Sequence, residues 1–92
     1  MRDDHFEWDD TKAAANWAKH KVSFSEARAA FDNPNGHYLP QDHDTEDRIL
    51  LIATTSGRIL AVAHVERGVR RRIISARRAT KHEKDDYFTR AR

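Results

Sequence analysis

The chain has no cysteine, one methionine, two prolines and three glycines in 92 residues. Without thiols there is no disulfide frame, no thiolate zinc site and no cysteine nucleophile. No apolar run approaches the roughly 18 residues that cross a bilayer. Met1-Arg2-Asp3-Asp4-His5 lacks the basic-then-apolar build of a secretory signal, so the expectation is a cytoplasmic protein with no membrane role. Gly-rich phosphate loops, nucleophile elbows and HExxH zinc motifs are also missing. Aromatics are few: two Trp, two Tyr and four Phe. A chain this short buries only about 60–65% of its unfolded surface, which predicts a single domain over residues 1–92 with a thin core, helped by a partner or by oligomerisation.

Charge is plentiful, and it is segregated. Up to Arg48 there are 6 Lys/Arg against 11 Asp/Glu, a balance of −5; from Ile49 onward there are 11 against 4, a balance of +7. Arg67, Arg70, Arg71, Arg72, Arg77, Arg78 and Lys81 fall in one strand-like stretch that also carries Ile73 and Ile74. Arginine offers a planar, permanently charged fork that grips phosphate at two points. Segregated charge of this kind points to a polyanion, RNA foremost, or to an acidic partner. A well-solvated surface is the plainer alternative, since 35% charged residues exceeds the usual quarter.

Local signals predict the order α-α-β-β-β-β-α. Phe6-Glu7-Trp8 alternates and reads as extended; Asp9 or Asp10 caps a helix to about His20. Ser23-Phe24-Ser25-Glu26 is a capping box, with Val22 and Ala27 at the staple positions, for a helix to about Phe31 that Asn33-Pro34-Asn35-Gly36 stops. Tyr38-Leu39 is a short edge strand limited by Pro40. Arg48 to Thr54, Arg58 to Glu66 and Arg70 to Ala76 form an antiparallel meander through turns at Thr55-Ser56-Gly57 and Arg67-Gly68-Val69. Thr80-Lys81-His82-Glu83 opens a terminal helix. The expected class is α+β: two N-terminal helices, a three- to four-stranded antiparallel sheet and a C-terminal helix.

Period-two alternation puts Leu60, Val62, His64 and Glu66 on one strand face, and sets Arg71, Ile73, Ser75 and Arg77 opposite Arg70, Arg72, Ile74, Ala76 and Arg78. His64 and Glu66 then lie near the Arg67–Arg72 hairpin, joining an acid/base pair to a cationic clamp. Cutting RNA without a metal needs that combination: one group takes the 2′-hydroxyl proton, another protonates the leaving 5′-oxygen, and cations stabilise charge on phosphorus. Each residue also has a structural reading. His64 can be a packed histidine, Glu66 can pair with Arg72 across the hairpin, Arg77 and Arg78 can solvate a sheet edge, and Lys19-His20 complement a helix C-terminus. His37 with Asp42-His43-Asp44 contains metal-ligand types but no fixed ligand spacing, so no metal or other cofactor is expected.

Phe6-Glu7-Trp8-Asp9, Asn16 with Lys19-His20, Val22-Ser23-Phe24 with Glu26-Ala27, Phe31-Asp32-Asn33-Pro34, Glu66-Arg67 and Arg72-Ile73-Ile74-Ser75-Ala76-Arg77-Arg78-Ala79 occur in this order. In this the chain resembles the BrnT family of type II toxins, which are similar in fold to RelE-type ribonucleases. The resemblance runs from Phe6 to Tyr87. It implies a metal-independent endoribonuclease that inhibits translation. It also implies a BrnA-like antitoxin with a ribbon-helix-helix domain, a two-plus-two complex, and contact with DNA only through that antitoxin. His64, Glu66, Arg67, Arg72 and Arg77 are the catalytic candidates, and Lys19, His20, Arg70, Arg78 and Lys81 the RNA-binding ones. The family has glycine after Lys-His where this chain has Lys21, which predicts strain or a different closure in the turn between the helices. The alternatives are a non-catalytic binding module on the same fold, or a DNA-binding regulator. The acidic first half, with no helix-turn-helix, argues against the regulator.

Overall fold

The structure is a computed structural model and describes residues 1–41 and 47–90. Helix α1 (Asp10–His20) opens at Asp9, whose carboxylate accepts from the Lys12 N–H at 3.1 Å. It closes at Lys21, which adopts the left-handed φ of 56° and donates its N–H to the Trp17 carbonyl at 2.9 Å. Glycine takes this conformation without crowding; a residue with a Cβ carries about 1 kcal/mol there. Helix α2 (Phe24–Ala30) is capped by Ser23 Oγ, which accepts from the Glu26 N–H at 3.0 Å. Glu26 does not turn back to complete the box, because its carboxylate binds Arg58, whose Nε lies 3.0 Å away. Helix α3 (Lys81–Arg90) has the full box: the Thr80 N–H donates to Glu83 Oε1 at 2.8 Å and the Glu83 N–H to Thr80 Oγ1 at 3.2 Å.

Strands β1 (Phe6–Glu7), β2 (His37–Gln41), β3 (Arg48–Thr55), β4 (Arg58–Arg67) and β5 (Arg70–Arg78) form one sheet in the order β1-β5-β4-β3-β2. The meander from β2 to β5 is antiparallel as expected, but β1 pairs parallel to β5, Phe6 with Arg71 and Glu7 with Arg72. The class is therefore α+β, with a five-stranded mixed sheet in place of three or four antiparallel strands. Two residues are too few to show an alternating pattern, and their partner lies more than sixty residues away. Gly68, at φ 59°, leads a two-residue loop with Val69, so Arg67 belongs to β4 and stands opposite Arg70.

The predicted strand faces are corrected by a bulge. Ala63 pairs with Ser75 but His64 pairs with Ile73, which leaves Ile74 as an extra residue on β5. An extra residue reverses the alternation beyond it. Ile73 and Ala76 therefore share a core cluster with Phe24, Leu51, Leu60 and Val62 beneath α1 and α2. Arg77 is turned to the other face, where Leu50, Ile52, Ala61 and Ala63 pack with Tyr87 of α3.

One buried polar side chain locks α1 to the sheet. Asn16 donates from Nδ2 to the carbonyls of Val22 at 2.9 Å and Ala76 at 2.8 Å, and accepts from the Ala76 N–H at 3.0 Å. Its amide thereby satisfies the edge of β5 beyond the short β1. No described helix is long and apolar enough to cross a membrane.

Candidate functional site

The loop of two residues between β4 and β5 sets Glu66 directly opposite Arg71, with Arg71 Nε 3.6 Å from Glu66 Oε1. The pairing of Glu66 with Arg72 considered from sequence is thereby corrected. Arg72 points to the other face, where Nη1 donates to Glu7 Oε2 at 2.7 Å. Arg71 lies over the rings of Phe31 at 4.8 Å and Tyr38 at 5.9 Å, two cation–π contacts that hold its guanidinium in place. Its backbone N–H donates to the His5 carbonyl at 2.9 Å and so brings His5, exposed at the start of β1, to the same place.

His64 is fully enclosed behind Glu66. Its ring meets Phe31 and Tyr38 edge to face, with centroids at 4.8 and 6.0 Å. Nδ1 is 3.4 Å from the Val62 carbonyl, while Nε2 has no hydrogen-bond partner and stands 4.0 Å from Glu66 Oε1. Burial pushes the imidazole pKa below its ordinary 6.5; the Val62 carbonyl and Glu66 oppose that shift and Arg71 adds to it. A neutral, enclosed His64 touches no solvent, so among the two acid/base candidates only Glu66, with its side chain 53% exposed, is open to solvent.

Glu66 and Arg71 open onto a cleft of about 500 Å³ that is also lined by His5, Phe6, Arg28, Phe31, Asp32 and Val69. Arg28 lies 4.7 Å over the Phe6 ring and is ion-paired to Asp3. The backbone N–H groups of His5 and Phe6, then Arg28, hold the Asp3 carboxyl down at about 2. Arg70 Nε donates to the Asp3 carbonyl at 2.7 Å. The N-terminal segment is thus fastened beside the cleft by charge-assisted bonds.

The other sequence candidates do not converge here. Strand β4 is ten residues long, about 30 Å at 3.3 Å per residue. Arg67, Arg70, Arg71 and Arg72 lie at one end of it. Lys19 and His20 end α1 near Arg58 at the other end, where Arg58 donates to the Lys21 carbonyl at 3.3 Å; Arg78 stands opposite Leu60. Lys81 pairs with Asp85 at 3.4 Å. Arg77 donates from both Nη atoms to Glu83, at 2.7 and 3.0 Å, a bidentate pair that raises the Arg77 pKa and lowers that of Glu83. Asp42, His43 and Asp44 lie outside the described residues; His37 packs its ring on Tyr87 at 5.8 Å. Among the described residues no three metal-ligating side chains cluster.

Arg71, His5 and Asp32 line the cleft but are not among the residues expected to catalyse or to bind RNA. Arg71 was recoverable from the hairpin, because a glycine-led loop of two residues puts Glu66 opposite it. His5 and Asp32 had no local signal, since only the β1–β5 pairing and the end of α2 bring them together.

The sequence model of a family described as ribonuclease toxin, BrnT, of type II toxin-antitoxin system matches residues 8–83. No curated protein matches the chain.

Proposed function

Because the chain belongs to the BrnT family of ribonuclease toxins of type II toxin–antitoxin systems, we propose that it is a metal-independent endoribonuclease that cuts RNA and so halts translation. The observation that carries this reading is the Glu66–Arg71 pair at the lip of the cleft. A half-exposed carboxylate beside a guanidinium held over two aromatic rings joins a proton acceptor to a phosphate-binding fork.

The steps follow from RNA's own chemistry. Glu66 takes the proton of the 2′-hydroxyl, and the 2′-oxygen attacks the adjacent phosphorus. Arg71 stabilises the charge on the phosphoryl oxygens as the bond to the 5′-oxygen breaks. His5, on the same cleft, supplies the proton to that departing oxygen. Arg67 and Arg70 flank the pair and attract the backbone. His64 serves as the enclosed support behind Glu66. Arg72 and Arg77, by their pairing with Glu7 and Glu83, hold β1 and α3 in place.

A toxin needs a neutraliser, and the cationic hairpin end suits an acidic segment of a partner. We assign that role to a BrnA-like antitoxin whose ribbon-helix-helix domain remains available for DNA. Two toxins and two antitoxins would then match a two-fold operator, with DNA reached only through the antitoxin.

The test is cleavage of a purified, end-labelled RNA in EDTA. Products ending in a 2′,3′-cyclic phosphate are expected, and growth arrest on expression without the neighbouring gene. A strict need for a divalent ion, or intact RNA, overturns the reading and favours a binding module.

A further inference from the structure

The cleft that holds Glu66 and Arg71 contains more than the proposed chemistry uses. Its volume, about 500 Å³, is in the range of small-molecule sites, about 300–1,000 Å³. Two guanidinium groups line it, each fixed on an aromatic ring: Arg28 on Phe6 at 4.7 Å and Arg71 on Phe31 at 4.8 Å. Guanidinium planes and aromatic rings are the surfaces on which splayed-out RNA bases stack.

Asp32 lines the same space, just beyond α2, and its side chain is exposed there. Its carboxylate forms no ion pair or hydrogen bond among the described residues, and the nearby Arg28 is committed to Asp3. An ionised carboxylate only accepts hydrogen bonds. Of the four RNA bases, guanine alone presents two adjacent donors, N1–H and the N2 amino group, on its pairing edge. Adenine and cytosine set one amino group beside a ring acceptor that a carboxylate repels, and uracil sets one N–H between two carbonyls.

We infer that this cleft is a base-recognition subsite that takes guanine, with Asp32 accepting from N1–H and N2–H, and that cleavage falls on the 3′ side of guanosine. Glu66, on the same cleft, then meets the 2′-hydroxyl of the nucleotide whose base is held. The inference rests on the ribonuclease reading for the position of the cut, but not for the binding of the base.

Binding and cleavage are therefore measured separately. Calorimetric titration with guanosine, adenosine, cytidine and uridine 3′-monophosphates should show guanosine 3′-monophosphate bound about tenfold or more tightly than the others, the scale of a good bidentate contact. In Asp32→Asn and Asp32→Ala, with folding checked by thermal melting, this advantage should vanish while the other three affinities stay as they were. Equal affinities in the wild-type protein, or an advantage that survives both substitutions, overturn the inference. RNA cutting without preference for guanosine also overturns it and leaves the ribonuclease reading standing. Guanine-selective binding without any RNA cutting supports the subsite and sinks the ribonuclease reading.

Discussion

His64 and Glu66 are neighbours of opposite exposure: the imidazole is fully enclosed, and the carboxylate 4.0 Å in front of it is half open to solvent. In the proposed reading the imidazole supports and the carboxylate makes contact, and four expectations follow from that strand end and from the elements around it.

Removing the carboxylate's basicity should stop the chemistry. Glu66→Gln keeps the shape and is expected to lower single-turnover RNA cleavage about 10²- to 10⁴-fold. Arg71→Ala should cost about 10²- to 10³-fold. Arg71→Lys should recover little, since lysine lacks the flat fork that lies on Phe31 and Tyr38. Wild-type rates in Glu66→Gln would end the assignment of the base.

Acid should weaken the fold through His64. Burial lowers its folded pKa, so the unfolded chain binds the extra proton first. The stability contributed is whole above the unfolded value of about 6.5 and is lost as pH falls below it toward the depressed folded value. The melting temperature of the wild-type protein should thus drop more between pH 7.5 and 5.5 than that of His64→Asn. Equal drops would show that His64 does not titrate with unfolding.

Arg77 should matter to stability rather than to cleavage. Arg77→Ala leaves half-buried Glu83 without its bidentate partner and is expected to cost about 1–2 kcal/mol in denaturant unfolding. The pair's contribution, tied to the lowered Glu83 pKa, is present above the ordinary carboxylate range and disappears as pH falls through the depressed value. A fully folded Arg77→Ala protein that cuts RNA at a hundredth of the wild-type rate would return Arg77 to the catalytic set.

The turn between α1 and α2 offers a gain. Lys21 is held at φ 56°, where glycine is unstrained, so Lys21→Gly should raise stability by about 0.5–1 kcal/mol after the added freedom of the unfolded chain is subtracted. Urea unfolding measures it directly. A loss instead would mean that the 5.6 Å contact of Lys21 Nζ with the Trp17 ring outweighs the backbone strain.

What could be read from the residues was what neighbours in sequence decide. Asp9, Ser23 and Thr80 each cap a helix where their side chains said they would. The apolar runs of β3 and β4 and the turn at Gly57 likewise follow from a few adjacent residues. Contacts between distant segments were hidden. β1 exists because Phe6 and Glu7 find Arg71 and Arg72, and the bulge at Ile74 exists because both Ile73 and Ala76 must reach one core. One extra residue then parted Arg77 from Arg71, and Arg72 and Arg77, the two arginines expected to grip phosphate, are instead paired with Glu7 and Glu83. The position of Glu66 beside the hairpin was visible in advance, whereas that of His5 and Asp32 in the cleft comes only from the packing.

Asn16 has an effect that extends past the chain itself. Its amide occupies the N–H and C=O of Ala76 that a neighbouring strand would seek, and Pro40 brings no N–H to the opposite border, β2. A second polypeptide therefore meets an interrupted ladder at both borders. Strand-by-strand pairing between crowded copies of the chain is thereby discouraged at both borders, a protection carried by one amide and one missing N–H.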